Sequence, residues 1–304
     1  MRLLAAAPRA LTPLALVAAA LAIIVPSTGV ARRSDALLAV LVLATALGIP
    51  WSELAGPRRH ARTVAVLSVV PLIVLTAVAW TLGRPFGPDV RDGLLAVGLS
   101  SSEVAAVGLT ALAGADATIA VGAVAGSLVL AVLLGPVAIG ALAGHSGPGS
   151  PGHLLVRFAL VVIVPLAAGV VIRSVPPAGR RLAALDGERE GVGALAVAAL
   201  VYAALSGTRG AHGLAAAVLA SALFLAVSAG LGELWRRRAV AGGGVDTAIP
   251  GALAIAMRDF AVAAALASQA FGNRAAAVPG VYGVLMLLAG SAFVARTRSG
   301  RRTG

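Results

Sequence analysis

The sequence contains no cysteine and no lysine, and it is poor in aromatic and charged residues. The absence of cysteine excludes disulfides, thiolate metal sites and cysteine nucleophiles. Charged residues make up 12% of the chain, against about 25% in soluble domains. Together with 59% hydrophobic residues, this excludes a disordered chain, a nucleic-acid-binding domain and an ordinary soluble enzyme. The composition indicates a protein of the lipid bilayer.

Ten apolar segments, separated by polar or Gly/Pro-rich breaks, predict an all-α membrane protein with ten transmembrane helices. A helix needs about 20 apolar residues to cross a bilayer core that is about 30 Å thick. Most of the segments come near this length, although the second and the seventh are short. Their approximate boundaries are 11–27, 35–50, 62–83, 91–113, 117–142, 154–174, 191–206, 211–235, 247–271 and 276–295.

The arginines predict the orientation of the chain. They account for all 24 basic residues and for the net charge of +12, and nearly all lie between apolar segments, where they set membrane topology. The two chain ends and the even-numbered loops carry 16 of them, against 7 in the odd-numbered loops. By the positive-inside rule, both termini and the loops 56–62, 176–190 and 236–246 are predicted to be cytoplasmic, in a multi-pass protein of the inner (plasma) membrane.

The first segment has an alternative interpretation. Arg2 and Arg9, followed by the apolar run from Leu11 to Val25 and then by small and polar residues, resemble a secretory signal peptide. Its removal would leave nine spans and an N-terminus outside the cell. The arginine counts of the even-numbered loops favour ten spans.

The two halves of the chain predict an inverted repeat of residues 1–150 and 151–304. The polar centres of segments four and nine, Glu103 and Asp259, lie 156 positions apart, close to half the chain length. Five spans per half is an odd number, so the halves have opposite orientations in the membrane. Inverted repeats with broken helices at matching positions are typical of secondary transporters, whose substrates bind near the midplane. The alternative is that Ala-, Gly- and Val-rich helices resemble one another by composition alone.

Ionisable residues at bilayer depth mark candidate functional positions, because each costs about 2.5–3.5 kcal/mol on insertion scales. Arg258 and Asp259 are adjacent, and on a continuous helix their side chains would point about 100° apart. Small and polar residues beside a charge indicate a place where a membrane helix unwinds toward a cavity. The candidate binding residues found in this way are Ser100, Ser101, Ser102, Glu103, Asp116, Arg258 and Asp259.

Each candidate also has a structural explanation. Asp116 lies between segments four and five, where it can be a solvated loop residue or the N-cap of the fifth span. Arg258 can form a structural ion pair, for instance with Glu103. The serines can be small packing residues that bond to backbone carbonyls.

Three stretches of the sequence resemble the bile acid:sodium symporter family. They are residues 48–72, which include Pro71, residues 93–136 and residues 255–286. The matching positions within 93–136 are Gly98, Thr110, Leu112, Ala113, Asp116, Ser127 and Pro136. The resemblance implies a panel domain and a core domain in which broken helices four and nine cross, beside sodium ions and a transported organic anion. It adds Thr110 and Ser127 to the candidate binding residues.

The sequence departs from this family where the resemblance places the sodium ligands. Ser101, Ser102 and Glu103 stand at its proline-glycine-glycine, Ala106 and Val107 at its Ser-Asn pair, and Ala254, Arg258 and Asp259 at its Glu, Gln and Asn. Hard cations need several oxygen ligands, which alanine and valine side chains do not supply. We therefore expect a proton, taken up by Glu103 or Asp259, to replace sodium as the coupling ion.

These features predict a secondary transporter of a small organic anion, with Arg258 as the countercharge of the substrate. The sequence has no HExxH motif, nucleophile elbow or paired DxxxD motif, which disfavours an enzyme. A non-transporting membrane scaffold or sensor and an auxin-efflux-type carrier are the alternatives. The expected partners are the lipid bilayer and the anion, and no nucleic acid or cofactor is expected beyond a coupling H⁺ or Na⁺. The direction of transport and the choice between monomer and homodimer stay open.

Overall fold

A computed structural model of the chain describes residues 11–31, 33–48, 60–143, 151–175, 179, 182, 184–206 and 211–300. Within this part the chain is helical and forms no β-strand beyond one isolated bridge, which confirms the all-α prediction. Besides a single turn at Thr28–Ala31, the helices are α1 (Leu11–Ile24), α2 (Ser34–Ala46), α3 (Ala61–Gly83), α4 (Pro88–Leu99), α5 (Ala105–Leu112), α6 (Ala117–Ala143), α7 (Pro151–Ser174), α8 (Asp186–Leu205), α9 (Ala211–Ala241), α10 (Val245–Ala256), α11 (Phe260–Ala270) and α12 (Asn273–Gly300).

Helices α3, α6, α7, α9 and α12 are each long and apolar enough to cross a membrane, which identifies a multi-pass membrane protein. The predicted segments 91–113 and 247–271 are each divided into two shorter helices, α4 with α5 and α10 with α11. The count of ten crossings stays a prediction, because these half-helices, α1 and α2 are each shorter than one span. Residues 1–10, with both arginines of the signal-peptide alternative, and parts of the loops 56–62 and 176–190 lie outside the described residues.

Helix α7 shows how the long helices divide their surface between protein and lipid. Val156, Leu160 and Val164 follow one another at four-residue spacing, and each side chain is more than half exposed. Phe158 and Val162 lie on the opposite side of the helix and are fully buried. A stripe of exposed branched aliphatic residues along a long helix is typical of a surface that faces lipid tails.

The helices pack into two bundles. Helices α1, α2, α7 and α8 pack on one another and form the first bundle, whereas α3 to α6 and α9 to α12 form the second. The bundles meet mainly where α8 packs on α12 and α7 packs on α6. Each bundle therefore draws helices from both halves of the chain. The division into repeats 1–150 and 151–304 stays a prediction.

Two glycines of the second bundle allow close approach between helices. A Cβ atom at Gly93 in α4 would overlap the carbonyl oxygen of Ala275 in α12. A Cβ atom at Gly283 in α12 would overlap the ring of Phe260, the first residue of α11. These contacts hold α12 directly against α4 and against the beginning of α11, where the second of the two interruptions described below is found.

Candidate functional site

Two helix interruptions lie in the second bundle where polar residues occur in apolar sequence. The first separates α4 from α5 at residues 100–104, and Ser100 there is extended (φ −73°, ψ 167°). The second separates α10 from α11 at residues 257–259, and Met257 and Asp259 are extended. Both interruptions were predicted from the sequence. The second is shorter than expected, because Pro250 lies inside α10.

The two interruptions pair with each other across an antiparallel bridge between Ser102 and Arg258. The Glu103 amide donates to the carbonyl oxygen of Met257 over 3.0 Å, and the Asp259 amide donates to the carbonyl oxygen of Ser101 over 2.8 Å. Unpaired backbone groups are costly away from water, so each extended segment needs partners. Each interruption supplies them to the other.

The amides at the centre of the bridge donate to hydroxyl groups of α6 and α12, the long helices that come after the two interrupted pairs. The Ser102 amide donates to Ser127 Oγ in α6 over 2.9 Å. The Arg258 amide donates to the Tyr282 hydroxyl in α12 over 3.0 Å, and this hydroxyl donates in turn to the carbonyl oxygen of Ala256. The amides of Ser102, Glu103, Arg258 and Asp259 therefore all have partners within the protein.

The side chains at the bridge contact matching positions in the two halves of the chain. Ser102 Oγ donates to the Ala254 carbonyl oxygen over 2.8 Å, and Arg258 Nη2 contacts the Gly98 carbonyl oxygen at 3.4 Å. Residues 98 and 254 lie 156 positions apart, as Ser102 and Arg258 do. The two backbone bonds obey the same offset, because 101 corresponds to 257 and 103 corresponds to 259. The crossing therefore has approximate twofold symmetry in its contacts.

The bridge separates its polar side chains onto two faces. Successive side chains of an extended segment point to opposite sides, so Ser102 and Arg258 share one face and Ser101, Glu103 and Asp259 share the other. Asp259 interacts electrostatically with Ser101 and Glu103 on its own face and with Arg258 across the bridge. The estimate of 100° between Arg258 and Asp259 was wrong, because both residues lie in an interruption and not on a helix.

The carboxylate face lies at the N-termini of α5 and α11. Asp259 Oδ1 accepts hydrogen bonds from the amides of Ala261 and Val262, each over 2.9 Å, and caps α11. Glu103 Oε1 has a long contact of 3.5 Å with the Ala105 amide, and its Oε2 has no hydrogen-bond partner. Both side chains are 8% exposed. Helix N-termini carry partial positive charge, which stabilises carboxylates at these two places.

The opposite face carries a guanidinium group with unused hydrogen-bonding capacity. Arg258 is fully buried, and its Nε and Nη1 atoms have no hydrogen-bond partner. No carboxylate of the described residues lies within 4.0 Å of the Arg258 guanidinium, so the ion pair with Glu103 that the sequence left open is not formed. Burying a charge with so few partners is costly. The arrangement is suited to bind a group that accepts hydrogen bonds and carries negative charge.

Three predicted site residues use their polar groups locally. Ser100 Oγ, just after the end of α4, donates to the Val97 carbonyl oxygen, and Thr110 Oγ1 donates to the Ala106 carbonyl oxygen within α5. Asp116 is exposed between α5 and α6, where its Oδ1 accepts from the Thr118 amide over 2.8 Å. Hydrogen bonds from the Thr118 side chain and backbone lower the pKa of Asp116. The other six residues meet at the crossing: Ser101, Ser102, Glu103, Ser127, Arg258 and Asp259.

The sequence analysis missed two hydroxyl-bearing residues at the crossing. Tyr282 contacts the Arg258 amide as described, and Ser228 Oγ in α9 donates to the Ala256 carbonyl oxygen over 3.1 Å. Both lie in the middle of long apolar helices, and Tyr282 is one of only two tyrosines in the chain. A hydroxyl-bearing residue within an apolar segment was the sequence signal that could have identified them as polar contacts of the crossing. At Ala106 and Ala254, where the resemblance places cation ligands, the side chains are buried and carry no oxygen.

Comparison with known proteins identifies a family whose model matches most of the chain. Residues 10–236 match the model of the SBF-like CPA transporter family, in agreement with the resemblance found in the sequence. The matched region contains the first interruption and ends before α10. The search of curated proteins gives no match.

Proposed function

The chain belongs to the SBF-like CPA transporter family, and from this premise we propose that it is a proton-coupled secondary transporter of a small organic anion. In this proposal ten helices cross the inner (plasma) membrane as two inverted repeats, and both termini are cytoplasmic. The substrate binds beside the crossing of the interrupted helices. The protein is a carrier and not an enzyme.

The observation that carries this proposal is that two of the three nitrogen atoms of the Arg258 guanidinium group have no hydrogen-bond partner. The group is fully buried at the crossing, and the two atoms are Nε and Nη1. Hydrogen bonds to charged groups contribute about 1.5–3 kcal/mol, so these atoms offer an anion a large gain on binding. A carboxylate is a suitable ligand because it accepts two parallel N–H groups of a guanidinium.

The contacts at the crossing support the inverted repeat. Three kinds of contact occur twice at an offset of 156 positions: the backbone bonds of the bridge, the amide-to-hydroxyl bonds to within one residue, and the side-chain contacts to the carbonyl oxygens of Gly98 and Ala254. The packing of the helices follows the same relationship, because α3 packs on α4 as α9 packs on α10, and α1 packs on α8 as α7 packs on α2. Resemblance in composition alone does not produce matched hydrogen bonds.

Coupling to protons follows from the side chains that are available. Glu103 and Asp259 lie on one face of the bridge and repel each other when both are ionised. Removal of a carboxylate from water favours its protonated form, whereas the N-terminal amides of α5 and α11 and the charge of Arg258 favour the ionised form. A pair of carboxylates under these opposing influences is suited to take up one proton and release it. The side chains of Ala106 and Ala254 offer no ligand to a sodium ion.

Alternating access in this proposal is a movement of the two bundles relative to each other. The crossing belongs wholly to the second bundle, and the first bundle has no interrupted helix in the described residues. Displacement of the second bundle along the first would carry the crossing, with its bound anion, from one side of the membrane to the other.

Uptake into proteoliposomes tests the proposal. The purified protein is reconstituted, and the uptake of labelled acetate, pyruvate, succinate, citrate and taurocholate is measured under an imposed H⁺ gradient, an imposed Na⁺ gradient, or neither. We expect accumulation of at least one anion under the H⁺ gradient alone. Binding of an anion without uptake under any gradient would instead indicate the sensor function that the sequence left open.

A further inference from the structure

A carboxylate joins the two bundles at a distance from the crossing. Asp35, in the first turn of α2, binds both Arg157 of α7 and Gln269 near the end of α11. We propose that these three side chains form a latch that holds the bundles together on the extracellular side. The inference rests on the proposed function for the movement of the bundles, and it adds the contact that this movement has to break.

The two carboxylate oxygens of Asp35 have different partners. Oδ2 accepts from Arg157 Nε over 2.9 Å and from Arg157 Nη2 over 2.6 Å, within the first bundle. Oδ1 accepts from Gln269 Nε2 over 3.0 Å, across the junction of the bundles. The N-terminus of α2 also stabilises the negative charge of Asp35. The bond to Gln269 can therefore break while the ion pair with Arg157 stays intact.

Gln269 is suited to a contact that forms and breaks. The residue is 9% exposed, and its Oε1 atom is buried without a hydrogen-bond partner. The unsatisfied acceptor disfavours the docked position of α11, whereas the bond to Asp35 favours it. When α11 moves away, water satisfies both ends of the amide. Because the two effects oppose each other, the docked position is not held so firmly that the bundles cannot separate.

Helix α11 is docked on the first bundle, whereas its counterpart in the proposed repeat, α5, is packed within the second bundle. Helix α11 packs on α2, α7 and α8, and each of its residues except Ser268 is buried. Helix α5 packs on α6, α10 and α12, and its buried residues are Ala106 and Thr110. The junction of the bundles is therefore tightly closed at α11 and less so at α5.

The polar contact also differs between the two half-helices. The position 156 residues before Gln269 is Ala113, whose methyl group forms no hydrogen bond. A second side-chain hydrogen bond between the bundles, 3.1 Å from Thr12 Oγ1 to Ser291 Oγ, is exposed and joins neutral hydroxyl groups of α1 and α12. Helices α2 and α11 meet at the ends that the arginine distribution assigns to the extracellular side. The latch therefore favours a resting arrangement that is closed to the outside.

Labelling of a buried cysteine tests the latch without any substrate. Ala265 lies one turn before Gln269 on the same side of α11 and is fully buried. The Ala265→Cys reporter has a single cysteine, and its reaction with an impermeant maleimide is measured in intact cells. We expect Gln269→Ala to raise the labelling rate about tenfold, the change in an equilibrium that loss of one charged hydrogen bond produces. The matched control is Ser268→Ala, which is expected to leave the rate unchanged because the Ser268 hydroxyl donates within α11.

Exchange of the two polar groups separates the latch from simple packing. Gln269→Glu places a second carboxylate against Asp35 and is expected to raise the labelling rate of the reporter. Addition of Asp35→Asn restores one donor and one acceptor, and is expected to return the rate toward that of the reporter alone. If Gln269→Ala does not fold, this comparison decides alone.

Two results would overturn the inference. One is an unchanged labelling rate in Gln269→Ala, and the other is a double variant that reacts as fast as Gln269→Glu alone. The labelling involves no transported anion, so a failure of uptake in the proteoliposome experiment leaves these rates unchanged.

Discussion

Ser102 and Arg258 face each other across the bridge, and each contacts a carbonyl oxygen of the helix that ends before the other's interruption. Their backbone amides also have equivalent partners, because each donates to a hydroxyl group of the next long helix. The backbone at the crossing is thus nearly symmetric, and the main asymmetry is chemical. One position carries a small neutral side chain and the other carries a permanent positive charge.

The two hydroxyl groups that accept from the bridge are expected to stabilise the fold to a similar extent. Ser127→Ala and Tyr282→Phe each leave a buried amide of the bridge without a partner. Each variant is expected to lose about 1–3 kcal/mol of stability, the cost of an unsatisfied buried donor. Thermal unfolding of the purified proteins provides the measurement.

Ser268→Ala is the matched control for this pair. The Ser268 hydroxyl donates to a carbonyl oxygen of its own helix α11 and does not contact the bridge. Its removal is expected to change the stability little. If Ser268→Ala were as damaging as Ser127→Ala, the bridge would have no special importance for the stability of the bundle.

The close approach of α12 to α11 predicts a position that tolerates no side chain. A Cβ atom at Gly283 would overlap the Phe260 ring, and Phe260 directly follows Asp259. Gly283→Ala is therefore expected to displace the start of α11 and to lower both Tm and transport rate. Gly230→Ala in α9 is the control, because its Cβ atom would meet no atom within 4 Å. Equal behaviour of the two variants would contradict the packing described for α12.

The interruptions could be predicted from the sequence because charge at bilayer depth is rare and costly. The serines before Glu103 and the adjacent charges at Arg258 and Asp259 broke two otherwise apolar segments, and the structure has both interruptions. The similar spacing of the acidic residues in the two halves also pointed to a meeting of these segments. These signals are local in sequence, so they predict the two interruptions without a structure.

The arrangement at the crossing could not be predicted in the same way. The distribution of side chains over two faces depends on extended backbone at Arg258 and Asp259, whereas a helical backbone was assumed for them. The contact of Tyr282 with the Arg258 amide depends on how α12 packs, and no pattern in the sequence specifies that contact. For Asp116 the sequence left open a binding role and a place in a solvated loop, and in the structure it is exposed and accepts from the Thr118 amide at the start of α6.

The orientation of the chain can be measured with single cysteines, since the sequence has none of its own. Cysteines at Arg62, Gly187 and Arg237 are expected to be protected from an impermeant maleimide that is added to intact cells. Cysteines at Gly87 and Arg274 are expected to react. The arginine distribution supports this assignment. The reverse pattern of labelling would show that the chain has the opposite orientation in the membrane.

Arg258→Gln is expected to weaken the binding of the anion. Glutamine keeps a hydrogen-bond donor but removes the charge, so the loss of about 1.5–3 kcal/mol for a charged hydrogen bond corresponds to a roughly 10–150-fold higher Kd. The Kd is measured by titration of the folded variant with the anion that the uptake experiment identifies. Arg91→Gln serves as the control, because Arg91 is partly exposed and pairs with Asp92 away from the crossing. An unchanged Kd in Arg258→Gln would show that Arg258 does not contribute to binding of the anion.

Proton coupling predicts that replacement of Asp259 separates transport of the anion from the H⁺ gradient. Asp259→Asn keeps an N-cap for α11, since asparagine caps helices as well as aspartate does, but asparagine cannot bind the coupling proton. Accumulation of the anion under an imposed H⁺ gradient is therefore expected to be abolished, whereas exchange of labelled for unlabelled anion without a gradient is expected to persist. Asp116→Asn is the matched control: it also changes an aspartate that accepts from a helix N-terminal amide, but one that is exposed outside the crossing, and it is expected to leave coupling intact. Uptake by the unmutated protein that requires Na⁺ at constant pH would contradict this prediction, because it would mean that backbone carbonyls and serine hydroxyls suffice to bind sodium where Ala106 and Ala254 offer no side-chain oxygen.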